Sequence, residues 1–141
     1  MSYEPLSSAD PPPGLAMNCS SELMTDFEGL LDGMPYNDVI FNVHGREFPA
    51  HKFILAARSK VFEAMFTNST EEIFTNRIII EDKDPDKEID SDVFQHLLCF
   101  IYTGRISITT LETFSIGLLV AGISYELDDL LRNILKVYSC V

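Results

Sequence analysis

The stretch that decides the fold is Val39-Ile40-Phe41-Asn42-Val43-His44-Gly45-Arg46-Glu47-Phe48-Pro49-Ala50-His51-Lys52-Phe53-Ile54-Leu55-Ala56-Ala57-Arg58-Ser59-Lys60-Val61-Phe62-Glu63-Ala64-Met65-Phe66. Val39, Phe41 and Val43 alternate with Asn42 and His44, His44-Gly45 supplies a tight turn, and Arg46-Glu47-Phe48 returns, so a β-hairpin is expected. Pro49 is expected to end its second strand. Beyond it the period changes: the spacings Phe53/Ala57 and Val61/Met65 predict two short helices broken near Arg58-Ser59.

On the N-terminal side, Leu23, Phe27, Leu30, Leu31 and Met34 form one stripe of a helix starting near Glu22, with Glu22, Asp26, Glu28 and Asp32 around it. Gly33 to Pro35 should stop it. Residues 1–20, with Pro5, Pro11 to Pro13, Gly14 and several serines, read as a disordered acidic Pro/Ser tail before a domain of residues 21–141. On the C-terminal side, Asn68-Ser69-Thr70 reads as a loop and Arg77-Ile78-Ile79-Ile80-Glu81 as a strand buried on both faces. Residues 81–92, with seven acids and two bases, read as a solvated acidic loop. Ser91 is expected to cap a helix carrying Val93, Leu97, Phe100 and Ile101 on one face and ending at Thr103-Gly104. A β-prone piece, Arg105 to Ile108, precedes the capping box Thr109-x-x-Glu112, which opens one helix through Phe114, Leu118 and Ala121. A last helix takes Leu130, Leu131, Ile134 and Val137. The class is α+β with helices dominant.

At 141 residues the chain can bury one sizeable core. Its 22 acids against 10 bases give a net charge of −12, which argues against binding a nucleic acid backbone. That charge is local: residues 1–45 hold seven acids and no base, residues 81–92 add −5, and the remainder is neutral. Three scattered cysteines, Cys19, Cys99 and Cys140, make no disulfide framework and suggest a reducing intracellular compartment, nucleus or cytoplasm. The start lacks the pattern of a secretory signal. The longest apolar run, Ile116 to Ile123, is far short of the roughly 20 residues that span a bilayer. Asn18-Cys19-Ser20 and Asn68-Ser69-Thr70 match the glycosylation pattern, which carries little meaning without secretion.

Little in the sequence points to catalysis. His96 and Cys99, at i and i+3, could form half a zinc site, but no second pair stands at ligand spacing. Gly117 to Gly122 resembles a phosphate loop only superficially, since Ile123-Ser124 stands where Lys-Ser or Lys-Thr is required, and the segment reads as mid-helix. The acidic run lacks the glycine and spaced oxygens of a calcium loop. No catalytic residue, cofactor or metal is expected. The remaining chemistry is interaction: the apolar stripe of the first helix either packs on its own domain or closes a self-complementary twofold interface.

The ordered motifs Asn37-Asp38-Val39, Gly45-Arg46-Glu47-Phe48-Pro49-Ala50-His51-Lys52, Ile54-Leu55-Ala56-Ala57-Arg58-Ser59, Val61-Phe62, Ala64-Met65-Phe66 and Phe100-Ile101-Tyr102-Thr103-Gly104 resemble the BTB/POZ domain. The resemblance runs from about residue 22 to the C-terminus. It is nearest to the speckle-type POZ (MATH-BTB) branch, whose members are substrate adaptors for cullin-3 ubiquitin ligases. It implies a helical cluster capped by a small, mostly three-stranded sheet, with an N-terminal dimerisation helix. It also implies a non-enzymatic, homodimerising interaction module that delivers a substrate bound elsewhere to ubiquitination.

By the same resemblance, Leu23, Phe27, Leu30 and Ile54 take the dimer contacts. Asp38 and His51 form a polar pair that fixes the hairpin against the helix, and Lys52 stands in a charged pocket of transcriptional relatives. The cullin contact falls on Met65 and Phe66, on the loop residues Thr70, Glu72, Ile73 and Phe74, and on Tyr125, which could instead pack between the last helices. Two departures matter. Thr70 stands where the family carries a hydrophobe before the glutamate, and residues 81–92 form a longer connection than usual. No MATH domain and no C-terminal helical extension accompany the domain in this sequence. The alternatives are the dimerisation module of a transcriptional regulator, or a bare scaffold without cullin binding.

Overall fold

The computed structural model describes residues 19–68, 76–80 and 89–139, without the side chains of 68 and 137–139. The elements among them are α1 (Ser20–Gly29), β1 (Val39–Val43), β2 (Arg46–Ala50), α2 (Lys52–Arg58), α3 (Lys60–Asn68), β3 (Arg77–Ile80), α4 (Ser91–Thr103), α5 (Ile108–Thr113), α6 (Ser115–Ser124) and α7 (Asp128–Ser139). The α+β class and the small sheet are as expected. Most of residues 1–20 and 81–92, read as tail and acidic loop, lie outside the described residues.

The hairpin forms where the alternation puts it. His44 and Gly45 adopt left-handed φ of 52° and 84°, the turn geometry whose twist matches paired strands. Asn42 Oδ1 secures the turn by accepting the Gly45 N–H at 2.9 Å. The register runs from Val39 opposite Ala50 to Val43 opposite Arg46. Pro49 stands within β2 rather than ending it, opposite Ile40; β2 is an edge strand, where a missing N–H is tolerated. β3 lies parallel to β1 on its other side, with Phe41 beside Ile78, in the order β2-β1-β3. The expectation that β3 is buried on both faces fails. Ile78 is buried but Ile79 is exposed, because helices cover one face of this sheet and Val39, Phe41, Val43, Phe48, Ala50 and Ile78 all point to it.

Aromatic rings join sheet to helices. Phe41 meets Phe62 of α3 at 5.6 Å and Phe94 of α4 at 5.4 Å, and Phe48 meets Phe94 at 5.2 Å. α4 is the central helix, burying Val93, Phe94, Leu97, Leu98, Phe100, Ile101, Tyr102 and Thr103. Asp90, not Ser91, caps it: the carboxylate accepts the Asp92 N–H at 3.0 Å from an extended backbone. Gly104 ends it with φ 69°, its N–H reaching the Phe100 carbonyl at 2.7 Å.

The break between α2 and α3 at Ser59 matches the expectation; elsewhere boundaries move by a few residues. α1 begins at Ser20 and its α-turns stop at Gly29. Tighter bonds from Leu30, Leu31 and Asp32 to Phe27, Glu28 and Gly29 then carry the chain toward the expected stop. Arg105 to Ile108 is not a strand, and the cap is Ser107, whose hydroxyl oxygen accepts the Thr110 N–H at 3.1 Å. The capping box at Thr109 therefore lies inside α5. The single helix expected from there divides at Phe114, whose backbone leaves the helical region at φ −115° and ψ 26°. Gly117 and Gly122 do sit mid-helix, in α6, where they admit Val93 and Leu131.

Candidate protein-interaction site

α1 rides on α4, and none of its ten residues is buried. Phe27, with Leu30 and Leu31 just beyond the helix, is half-buried against the core, while Leu23 keeps 56% of its surface in solvent. The stripe thus packs inward at its C-terminal end and stays open at its N-terminal end. Of the expected dimer positions, Ile54 is not on the surface of the chain. It is 7% exposed and belongs to the core with Leu55. Its neighbour Phe53 is 67% exposed, and Tyr36 is more exposed still. Both were missed from sequence, although three consecutive apolar residues, Phe53-Ile54-Leu55, cannot all face inward on a two-turn helix at 100° per residue.

The expected pairing of Asp38 with His51 is not formed. His51 is buried, and its Nε2 lies 2.6 Å from the Pro35 carbonyl while Nδ1 lies 2.7 Å from the Tyr102 hydroxyl. A carbonyl can only accept, so Nε2 carries a proton, and in the neutral imidazole Nδ1 accepts from the Tyr102 hydroxyl. The same hydroxyl oxygen accepts the His51 backbone N–H at 2.9 Å. Burial, with a smaller push from Asp38, raises the Tyr102 phenol to about 12 against the lowering effect of that N–H. Asp38 is committed elsewhere: its Oδ1 accepts the Lys52 N–H at 2.8 Å, satisfying a first-turn donor of α2 that the His51 side chain, turned toward Tyr102, does not reach. Lys52 donates its ammonium to Asn76 Oδ1 at 2.8 Å. His51 thereby pins the turn Gly33 to Tyr36, where Met34 and Tyr36 hold left-handed φ of 44° and 62°, and this turn presents the Tyr36 ring to solvent.

Beside it, a groove of about 240 Å³ runs between Leu31 and Met34, β2 from Arg46 to Pro49, and Gln95, Leu98 and Cys99 of α4. Burial first, then Glu28, pushes the Cys99 thiol up. His96 lies against the Phe114 ring at 4.7 Å. Among the described residues no three His, Cys, Asp or Glu side chains converge as a metal site.

The candidate cullin residues divide. Thr70, Glu72, Ile73 and Phe74 lie outside the described residues. Met65 and Phe66, near the end of α3, are half-buried, with Phe66 stacked on Phe62 at 6.1 Å. Tyr125 is buried and stacked on Phe62 at 4.5 Å and 7°, and its carbonyl accepts the Ser59 hydroxyl at 2.7 Å. Its ring therefore takes the packed position that the sequence offered as the alternative to a surface contact.

The BTB/POZ domain family model matches residues 27–138. The chain belongs to the BTB/POZ domain family. It is 38% identical to the mouse TD and POZ domain-containing protein 4 over 127 residues, covering 89% of this chain and 32% of the relative. It therefore spans about a third of the length of that relative. Among solved structures, the BTB domain of zebrafish PATZ1 superposes with a TM-score of 0.67 at 28% identity, covering 86% of this chain and 92% of that one. BTB/POZ domains are protein–protein interaction modules, and this chain is one of them. The family match begins at Phe27, so the first two turns of α1, with Leu23, precede it. No helix among the described residues is long and apolar enough to cross a membrane.

Proposed function

We propose that this BTB/POZ domain is a homodimerising adaptor that docks the N-terminal domain of cullin-3 and so brings a substrate, held by a region outside this chain, to a ubiquitin ligase. The observation that supports the dimer is the open N-terminal end of the α1 stripe: no residue of the helix is fully buried by its own domain, and Leu23 is exposed. A contiguous exposed apolar patch is a usual mark of a protein interface. Phe53 and Tyr36 extend the apolar surface available to a second copy. The cullin reading is supported by Met65 and Phe66, which bring apolar surface to the end of α3 ahead of Glu72. It is also supported by the mouse relative, whose name sets a TD domain beside a POZ domain. Branch, cellular compartment and substrate follow the same reading.

Light scattering tests the dimer. Leu23→Asp is preferred to Phe27→Asp because Leu23 makes little contact with its own core, so the fold survives the change. The wild type is expected at twice the chain mass and the variant at the chain mass; a wild-type monomer, or a dimer in both, overturns the interface. Calorimetric titration against the cullin-3 N-terminal domain tests the second half. Absence of heat at tens of micromolar, with the dimer intact, leaves a bare scaffold in which Thr70 has cost the apolar anchor.

A further inference from the structure

β2 lies at the edge of the sheet, and its residues form one wall of the groove beside α4. The hairpin closes on Val43 with Arg46, and the register continues through Phe41 with Phe48 to Val39 with Ala50. Ile40 sends its N–H the other way, to the Asn76 carbonyl at 2.9 Å. Backbone groups alternate along a strand, so Arg46, Phe48 and Ala50 bond inward to β1 while Glu47 and Pro49 turn outward. Among the described residues nothing meets the Glu47 N–H or the Glu47 and Pro49 carbonyls. Pro49 blocks pairing of unlimited length, yet this edge still offers one donor and two acceptors. The groove follows it on the helix-covered side, where Leu31, Met34, Leu98 and Cys99 line it with Phe48, and its volume of about 240 Å³ admits one large aliphatic side chain. α4 runs in the same sense as β2: Arg46 reaches Asp92 and Gln95 at 3.1 and 2.8 Å, whereas His51, just past β2, meets Tyr102. Cys99 therefore lies toward the Ala50 end. The charged residues of the lining, Arg46 and Glu47, are paired with Asp92 and Arg77. Glu28 is different. It stands one tight turn before Leu31, its charge acts on the Cys99 thiol, and it has no ion pair among the described residues.

We infer that an extended segment of a partner protein, carrying a basic residue two positions before a large aliphatic one, adds to the sheet as a strand beside β2. It runs antiparallel, the commoner pairing. The residue opposite Glu47 exchanges both main-chain bonds with it, and the residue opposite Pro49 donates to the Pro49 carbonyl. Side chains alternate between the faces of a strand, so the residue opposite Phe48 enters the groove. Two positions earlier on the same face, the residue opposite Ala50 reaches the Cys99 end, where Glu28 is the complementary charge. The sign is set by the α1 wall, since residues 1–45 hold seven acids and no base. β2 of a second copy cannot be this strand, because its residues on the matching face, Phe48 and Ala50, are buried in their own core.

The test uses the full chain and fluorescein-labelled peptides of about eight residues, the length of an ordinary strand, with Arg-Thr-Leu-Thr at the centre. Fluorescence anisotropy is expected to show saturable binding, and none when serine replaces the leucine. N-methylation of either threonine of the central four removes an N–H aimed at β2 and should weaken binding about tenfold. N-methylation of the leucine, whose N–H points away from β2, should leave the affinity within about twofold of the parent. A peptide with glutamate in place of the arginine should bind about fivefold more weakly, and Glu28→Lys protein, altered only at an exposed side chain, should reverse that order. No saturable binding, equal effects of N-methylation at all three positions, or an unaltered charge preference in the Glu28→Lys protein overturns the inference. So does a loss of dimer mass as the peptide saturates, which would assign the groove to a second copy.

Discussion

Replacing Tyr102 by Phe removes one oxygen atom and leaves the ring, so the effect isolates a single buried junction. That hydroxyl serves both the backbone N–H and Nδ1 of His51, at 2.9 and 2.7 Å. Without it, two polar atoms of a residue that is 3% exposed lose their partner, and the space left is too small for a replacement water. Each buried group left unsatisfied costs about 1–3 kcal/mol, so the variant should lose about 2–6 kcal/mol, a large share of the total of roughly 5–15 kcal/mol that domains possess. Urea unfolding followed by circular dichroism, at one fixed protein concentration because dimerisation feeds into stability, should show a midpoint lower by about 1–3 M at an m-value near 2 kcal/mol/M. The m-value itself should not change. Alkaline pH supplies a second readout. The folded phenol titrates at about 12 and the ordinary one at 10, so this group's contribution is complete below pH 10. Above it, the unfolded chain gives up its proton first, and stability falls until about pH 12. That fall should appear in the difference between wild type and Tyr102→Phe. A midpoint within about 0.3 M of wild type, or the same alkaline loss in both proteins, would refute the assignment of this hydroxyl as a shared, saturated partner.

Three further outcomes follow from the geometry. Gly117→Ala should destabilise by about 1–2 kcal/mol despite the better helix propensity of alanine, because its Cβ would lie 2.6 Å from Cγ2 of the stiff Val93. Gly122→Ala meets only the mobile end of Leu131 and should fall within about 0.5 kcal/mol of wild type; thermal melts of the pair decide this. Asp38→Ala should cost about 1 kcal/mol through loss of the Lys52 N–H acceptor at the start of α2, with Asp38→Asn recovering most of it. In Cys140→Ser protein, iodoacetamide at pH 8 should label exposed Cys19 well before Cys99, because burial and Glu28 disfavour the Cys99 thiolate. Faster labelling of Cys99, followed by peptide mass spectrometry, would show that the groove opens.

Much of the fold was legible from side-chain periodicity. The alternation at Val39, Phe41 and Val43 and the His44-Gly45 turn prescribe the hairpin, because period-2 patterning and a left-handed turn pair are local requirements. Gly104 marks the end of α4 for the same kind of reason. Caps were harder: Asp90 beside Ser91, and Ser107 beside Thr109, offer rival acceptors within two residues, and which one takes the extended backbone depends on where α4 and α5 must lie to bury Phe94 and Leu111. The burial of Ile79 was misjudged because a β-branched run looks the same whether one face of its sheet is covered or both.

The site divides along the same line. Family membership and the identity of the α1 stripe are written in the order and spacing of residues, which no folding is needed to read. Partnerships across the chain are not. His51 was expected to meet Asp38, thirteen positions away, yet it bonds to Tyr102 on another helix, because α4 passes beneath the hairpin and brings a hydroxyl within 2.7 Å. Ile54 and Phe53 are both large and apolar, and the packing of α2 alone sends one into the core and leaves the other in solvent. For Tyr125 the sequence leaves a surface contact and packing between helices both open, and the fold buries the ring against Phe62. Composition and spacing settle which side chains are apolar, charged or able to turn the chain. Which of them remain available to a partner is settled by how the core has already used the rest.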